Sequence, residues 1–550
     1  MKKGTKIALW VIGALVVLVI GLFLAADIIA SKVVKREVSK ALVNMPGAEA
    51  SVGHIYLHLL SGSAIVTDIT FRTNNLNLSE DSVSTDSVVP GMALHIPTLA
   101  VWNIDYHQLR HGRLHIYKIS LDEPAIAVCM DENNPASLLP ALPEDTTLAK
   151  ANSFLKEIEV KHIEVESLRA WMRSTSSPLD LKVDTLSLAC NGIGYNLADS
   201  LLTYNDSVYS LSLAAAKIAL PDGMTAMEVH NLKTENQGPL TLGYTRIYNT
   251  VSHTFMAKKA KDYITWIDLE LNSLSTSPLN PVRKALAQDY TLDKIDVDIR
   301  RMQVFRDQTI GPKQPFGTPQ EYLRLIPAIF KINKVDALAR KIDVKLSLTD
   351  INVGELHFKD IRLALANITN RPGAVWRNRA KAPWGKAGRV EASYNIHMDK
   401  KSTFDLSLSG TEVELDVMNP FVRPLVGITC DCHVNRIDAA YSGDDVKANG
   451  TFCMQYQGLD VKVHKEDNIP YKIITNNADL FTGIANSLIP KSNPTAVDIH
   501  PRKYAVEWSR DLWKPYALYM FGPCIDGIKM TMLPGLFVHK QVAFTEPAKK

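Results

Sequence analysis

Three histidines, His107, His111 and His115, stand four residues apart. On one helix they would share a face and could hold a metal ion. Gly112 falls between them, and Leu114 already opens an alternating apolar pattern. The spacing therefore places them as surface side chains at a helix-to-strand turn. Cys430-Asp431-Cys432-His433 is rich in ligand types, but no second cluster follows at zinc spacing. Cys430 and Cys432 would point the same way from one strand, a poor geometry for a disulfide, and read as small apolar residues. Cys129, Cys190, Cys453 and Cys524 are scattered, which makes no disulfide scaffold. The sequence holds no nucleophile elbow, phosphate-binding glycine loop or zinc-protease helix, and Gly192 and Gly194 are a lone glycine pair. Asn-x-Ser/Thr occurs at Asn77, Asn205, Asn367 and Asn449, a short pattern that chance often produces. The chain reads as non-enzymatic, with no cofactor and no metal.

The elements that would carry these residues are set by hydropathy. Ile7 to Ala26, IALWVIGALVVLVIGLFLAA, has no charged or strongly polar side chain. At ~1.5 Å per residue a helix of this stretch matches a bilayer core. It predicts one membrane-spanning helix. The rival is a cleaved secretory signal, whose apolar core is shorter, at about 7–15 residues. Lys2, Lys3 and Lys6 precede the stretch; Lys32, Lys35, Arg36 and Lys40 follow, partly offset by Asp27 and Glu37. The flanking charges nearly balance, and a small basic head is easier to leave in the cytoplasm than a large body. Asp27 to Leu42 continues with helical spacing and a basic face. The 550-residue chain carries a net charge of +3, which gives no reason to expect a nucleic-acid partner. It is 46% hydrophobic but only 7% aromatic, so its apolar surface is mostly aliphatic.

Beyond the anchor, one spacing recurs. With φ for apolar and x for any residue, φxφxxφxφ fits Ala64-Val66-Ile69-Phe71, Leu114-Ile116-Ile119-Leu121 and Ile158-Val160-Ile163-Val165. It fits again at Leu181-Val183-Leu186-Leu188, Leu213-Ala215-Ile218-Leu220, Val297-Ile299-Met302-Val304 and Leu356-Phe358-Ile361-Leu363, with a worn copy at Met227-Val229-Leu232. Spacing of two puts side chains on one strand face, and the extra middle residue shifts the phase. A strand keeps its apolar face through that shift by a bulge or a bend; the alternative is two strands meeting at a tight turn. Helices are few: Ser31–Val43, part of Pro281–Asp289, Pro319–Phe330 and Asp479–Leu488. The pattern is equally compatible with a closed sandwich or barrel and with a long curled sheet whose apolar face lines a groove. Breaks are expected at Asn133–Ala149, Gly311–Pro319 and Arg371–Arg389. The last holds six basic residues, no acid, and Trp376 and Trp384. It reads as an exposed loop, whose Arg377, Arg379 and Lys381 could contact anionic lipid headgroups.

Several stretches together resemble the AsmA family of bacterial envelope proteins. The anchor runs into a basic amphipathic stretch. VWNIDYHQLRHGRLHIYKISLDEPAIAV at Val101–Val128 resembles the family's small helix, glycine, strand pair and proline. Asp405–Gly410, then Val417-Met418-Asn419-Pro420, Gly450 and Met454–Val461, resemble its closing module. Arg510–Pro515 and Asp526–Lys529 resemble a terminal helix seen in relatives. The resemblance implies a mainly β fold with few covering helices: one N-terminal transmembrane helix, then an elongated, curled, mostly antiparallel sheet forming a groove. It divides the chain into a head and anchor (1–26), a juxtamembrane helix (27–43), an N-terminal β module (44–140), a repeating region (150–400) and a C-terminal module (401–540). It implies a single-pass protein of the bacterial inner membrane with its body in the periplasm. The function expected is passive phospholipid transfer or lipid homeostasis in outer-membrane biogenesis, with envelope lipids and envelope proteins as partners. The alternative is a non-enzymatic scaffold with a packed β core. The residues expected to line the groove are Val66, Ile69, Ile116, Ile119, Val160, Ile163, Val183, Leu186, Phe358 and Ile361. An apolar path suffices for such transfer, since an acyl chain gains about 0.8 kcal/mol per buried CH₂.

Overall fold

The computed structural model describes residues 48–58, 61–73, 76, 90–131, 156–196, 201–220, 222–260, 262, 265–280, 284, 288–347, 352–464, 478–537 and 540–543. The expected span Ile7–Ala26, the stretch Asp27–Leu42, the break at 133–149 and most of the helix at 281–289 lie outside them. Among the described residues, no helix is long and apolar enough to cross a membrane. Among the described residues the fold is mainly β, 63% strand against 14% helix, in a large mixed sheet. It divides into two compact units. The division falls inside the repeating region 150–400.

The first unit comprises the described residues up to Thr245 and those within 278–287. Its strands are β1 (Ala48–Ser51), β2 (Ile55–His58), β3 (Ser63–Thr73), β4 (Gly91–Ile104), β5 (Arg113–Asp122), β6 (Ala125–Met130), β7 (Glu157–Ser174), β8 (Asp180–Asn196), β9 (Leu201–Ala219), β10 (Thr225–Glu235) and β11 (Pro239–Leu242), with a one-turn helix α1 (Tyr106–Leu109) between β4 and β5. The second unit holds β12 (Thr245–Asn249, from its second residue), α2 (His253–Ala260), β13 (Thr265–Pro278), β14 (Tyr290–Asp307), α3 (Pro319–Arg324), β15 (Phe330–Ser347), β16 (Val353–Thr369), β17 (Val375–Trp384), β18 (Gly388–His397), β19 (Phe404–Glu414), α4 (Asn419–Val426), β20 (Ile428–Gly443), β21 (Lys447–Val463), α5 (Ala478–Leu488), β22 (Lys503–Ser509), α6 (Tyr516–Met532), α7 (Pro534–Phe537) and β23 (Gln541–Val542).

Most neighbours pair antiparallel, but β5 with β7, β6 with β7 and β14 with β15 pair parallel. A parallel pair needs a crossover. Between β14 and β15 the crossover is the stretch 308–329 carrying α3, which ends at Arg324, short of the expected Phe330 where β15 already begins.

The repeat is a phase shift within single long strands, not a pair of strands at a turn. In four copies the second middle residue takes a left-handed conformation: Asp68 (φ 51°), Thr185 (φ 55°), Asn231 (φ 53°) and Asp360 (φ 52°). Asn and Asp tolerate this region best, and one such residue advances the pleat by a step. Where neighbours bulge at different heights the ladder adjusts: Thr185 adds a residue to β8, Ser167 (φ 55°) adds one to β7, and register recovers beyond both. Across β14, β15 and β16 the shifts lie side by side. Val297, Ile299, Met302 and Val304 oppose Ala337, Ala339, Ile342 and Val344, which oppose Leu363, Ile361, Phe358 and Leu356. The β15 residues are a further copy of the spacing, disguised by two alanines. In β9 the pairing moves the copy by two: Leu211, Leu213, Ala216 and Ile218 oppose Leu188, Leu186, Val183 and Leu181.

Two regions are closed. In the first unit, side chains of β2–β5, β7 and α1 pack into one cluster around Val66, Leu99, Ile104, Leu114 and Ile116. In the second, β18–β22 bury Phe404, Val434, Phe452, Met454 and Tyr456, and α6 packs on β21 and β22. The predicted helix at Asp479–Leu488 matches α5, and Asp526–Lys529 lies within α6.

Candidate functional site

The expected lining residues fall on two kinds of surface. Val66 (0% exposed) and Ile116 (1%) are interior side chains of the first closed cluster, with Ile69, Ile119 and Val160, so these five are packed core and not lining. Ile163 packs half-buried at its edge. Val183 and Leu186 in the first unit, and Phe358 and Ile361 in the second, are only half-buried, on faces where apolar side chains meet solvent.

Cross-strand register shows the extent of each open face. In the first unit Leu168, Leu186, Leu213 and Leu232 form one row; Ala170, Val183, Ala216 and Val229 form the next; and Met172, Leu181, Ile218 and Met227 a third. In the second unit six rows cross three strands, from Leu292, Ile332 and Ile368 at one end to Val304, Val344 and Leu356 at the other. Of these eighteen residues only the small Ala339 is buried; the rest are half-buried. At ~3.3 Å per residue the strip is about 40 Å long along β14. A second left-handed residue in β16, Asn367 (φ 57°), holds Leu365 and Ile368 on the same face. At the Leu356 end, α4 lies across the strip: Gly354 sits directly against the Phe421 carbonyl and the Leu425 side chain, and a Cβ there would strike both. The Trp384 ring meets Phe358 at 5.9 Å between centroids.

The opposite face is polar and paired. Arg113 faces Glu157 at 3.7 Å, His115 faces Glu159 at 3.5 Å, and Lys118 meets Glu164 at 2.6 Å. In the second unit Arg340 grips Asp298 with two bonds of 2.8 and 2.9 Å, and Lys345 bonds Glu355 at 2.7 Å. Asp343, whose side chain is nearly buried, has His357 Nδ1 at 2.7 Å and Lys341 Nζ at 3.2 Å. Burial pushes its carboxyl up, but these partners outweigh burial and hold it below the usual range. Such pairs solvate a strand face without adding much stability where they are exposed.

The stretch Arg371–Arg389 is not a loop: it forms β17, the turn after it, and the start of β18. Arg377, Arg379 and Lys381 alternate on one face of β17, opposite Ala366, Ala364 and Arg362. That is the polar face, away from Leu363 and Leu365. Arg379 and Lys381 both pair with Glu391. Alternation every two residues makes the cations one face and leaves Trp376 and Trp384 on the other.

The ligand-rich sequences do not assemble. His107 lies in α1 and His111 in the turn after it, their rings 5.1 Å apart with His111 Nδ1 2.9 Å from the His107 carbonyl oxygen, while His115 is on β5. Cys430 and Cys432 both carry free thiols; burial raises both pKa values, that of Cys432 to about 12. Among the described residues, no three His, Cys, Asp or Glu side chains converge to hold a metal. What the open faces can do chemically is bind aliphatic chains by burial and dispersion.

Compared with protein-family models, curated proteins and solved structures, the chain matches none.

Proposed function

We propose that this chain is a single-pass protein of the bacterial inner membrane whose periplasmic body carries phospholipid passively along an apolar β-groove, in lipid homeostasis or outer-membrane biogenesis. Ile7–Ala26 is its anchor, with the head in the cytoplasm. Each unit supplies an apolar face of its own: Val183 and Leu186 in the first, and Phe358 and Ile361 with their cross-strand rows in the second. No cofactor or catalytic residue is needed, because transfer along an apolar path requires only that acyl chains stay out of water. Envelope proteins are the expected partners at either end of the path.

The observation that carries this reading is the six-row strip of β14–β16. A sheet with one apolar face ordinarily has that face covered. Here seventeen of its eighteen strip residues are only half-buried, a state that bound acyl chains would relieve. The two closed clusters favour a second reading, a scaffold whose core is simply packed.

The two readings part on one measurement. The full chain, extracted in mild detergent, should carry phospholipid detectable by mass spectrometry. Phe358→Asp with Ile361→Asp should remove that lipid while the far-UV spectrum and thermal transition stay. A wild-type chain that carries no lipid, or a double variant that retains it, refutes the groove.

A further inference from the structure

We infer that the second unit carries a bilayer-docking surface, built from the rim of loops at the end of the strip away from α4, which binds anionic lipid headgroups and the acyl region beneath them. The inference does not need the transfer reading, since docking can be measured where no lipid moves.

The rim is assembled by named bonds. Thr318 caps α3 and donates to the Ser402 hydroxyl at 3.0 Å, Gln320 Nε2 donates to the Thr403 carbonyl at 3.3 Å, and Arg324 donates to the Asp399 carbonyl. These seat α3 on the β18–β19 turn. The Phe316 amide donates to the Leu512 carbonyl at 2.7 Å, and Arg510 donates back to the Phe316 carbonyl at 2.7 Å. Asn370, at the end of β16, holds the Ile326 and Ala328 carbonyls at 3.2 and 2.9 Å. The backbone is therefore pinned, while its apolar side chains point outward. Leu325 is 78% exposed, Ile329 57% and Trp513 55%, with Tyr322, Ile326 and Leu512 also exposed.

A fixed frame that holds six large apolar side chains in water marks an interaction surface. Its form selects the partner. The side chains project as exposed knobs from two segments, 322–329 and 512–513. Trp and Tyr with an apolar body and a polar tip suit the bilayer interface. Exposed cations stand on the same rim: Arg371 on the β16–β17 turn, Lys400 and Lys401 on the β18–β19 turn that seats α3, and Lys447 and Lys514 beside Val446 and Trp513. The exposed acids on these loops and on α3 are Glu321, Asp445 and Asp511; Glu321 accepts from the Thr318 amide, and Asp511 pairs with Lys514 at 3.2 Å. Knobs for the acyl region ringed by cations for headgroups complement an anionic bilayer. Ile329 directly precedes β15, whose Ile332 belongs to the last row of the strip, so the surface adjoins the end of the apolar path.

The test is flotation of the full chain, kept in solution in zwitterionic nanodiscs, with added vesicles containing about one-third anionic phospholipid. Wild type should float with the vesicles. Leu325→Asp with Ile329→Asp should reduce the floated fraction by roughly ten-fold or more. Lys400→Glu with Lys401→Glu should reduce it about five-fold, an effect that Lys400→Arg with Lys401→Arg does not produce and that about 0.5 M salt erases. As a check independent of flotation, an environment-sensitive dye on Leu325→Cys should blue-shift when vesicles are added. A wild-type chain that stays down with the nanodiscs overturns the inference. So does a Leu325→Asp/Ile329→Asp chain of unchanged thermal transition that floats as wild type does. Loss of flotation with retained co-purified lipid, or the reverse, separates docking from carriage.

Discussion

Within the second unit the same apolar face has two fates. Leu363 of β16 opposes Ala380 of β17, and the row continues through Ala392, Leu408, Ala439, Phe452 and Tyr504 to β22. At the β16 end its side chains are half-buried; at the β21–β22 end they are sealed. The strands are alike in length, alternation and pairing. What differs is the element above them. Helix α6 lies on β21 and β22 because two of its positions have no side chain: a Cβ at Gly522 would overlap the Trp508 ring, and one at Gly527 would overlap the Phe452 ring. Tyr441 and Tyr519 then tie the helix end, donating to the Met520 and Asp444 carbonyls at 2.7 and 2.9 Å. Over β15 and β16, among the described residues, the packed helix is α4, and it reaches only the Gly354 end. A row of aliphatic residues thus becomes core or open surface according to whether a helix can approach it closely.

The contrast can be broken most strongly in the first unit. Ile116→Asp puts a carboxylate into the closed cluster and should cost about 4 kcal/mol or more, seen as loss of the cooperative urea transition. The same change at Ile361 should leave that transition nearly in place. An equal loss at both positions would mean that Ile361 is packed core as well. Next come two phenylalanines of the second unit. Phe452→Ala should cost about 3–5 kcal/mol by leaving a cavity beneath α6, whereas Phe358→Ala, half in solvent already, should cost about 1 kcal/mol. Gly527→Val should lift α6 from Phe452 at a cost of about 1–3 kcal/mol, with new protease cleavage between Tyr516 and Met532. If Gly527→Val leaves both protease pattern and stability unchanged, the glycine does not seat the helix.

The smallest effect concerns the polar face behind the strip. The Asp343 carboxyl titrates below its ordinary value near 3.9. Its folded-state pKa is depressed, so it contributes stability above that ordinary value and loses it as pH falls toward the folded one. Asp343→Asn should lower stability at pH 7 by about 1–2 kcal/mol. The wild-type advantage should then shrink progressively in urea titrations carried below about pH 4. An advantage that grows on acidification would contradict the arrangement with Lys341 and His357.

Much of the fold was legible because a strand writes its period into the chain. The copies at Ala64, Leu114, Ile158, Leu181, Val297 and Leu356 each lie on one long strand, and Asp68, Asn231 and Asp360 stand where a left-handed residue fits. The copy in β15 was hidden because Ala337 and Ala339 carry little hydropathy signal, although they occupy the same face. The basic stretch around Arg377 and Arg379 read as a loop because prolines and glycines flank an alternation that was itself a strand signal. The docking rim had no sequence signature: Tyr322, Leu325 and Trp513 are ordinary apolar residues until bonds from Phe316 and Arg510 bring two distant segments together.

The sequence by itself determined that this chain is mainly β, with aliphatic faces that shift phase mid-strand, because period and residue type are local properties. Only the tertiary structure decided that Ile116 is core while Ile361 meets solvent. Both sit in the same φxφxxφxφ pattern, and burial depends on which distant element packs above a side chain, which no local spacing encodes.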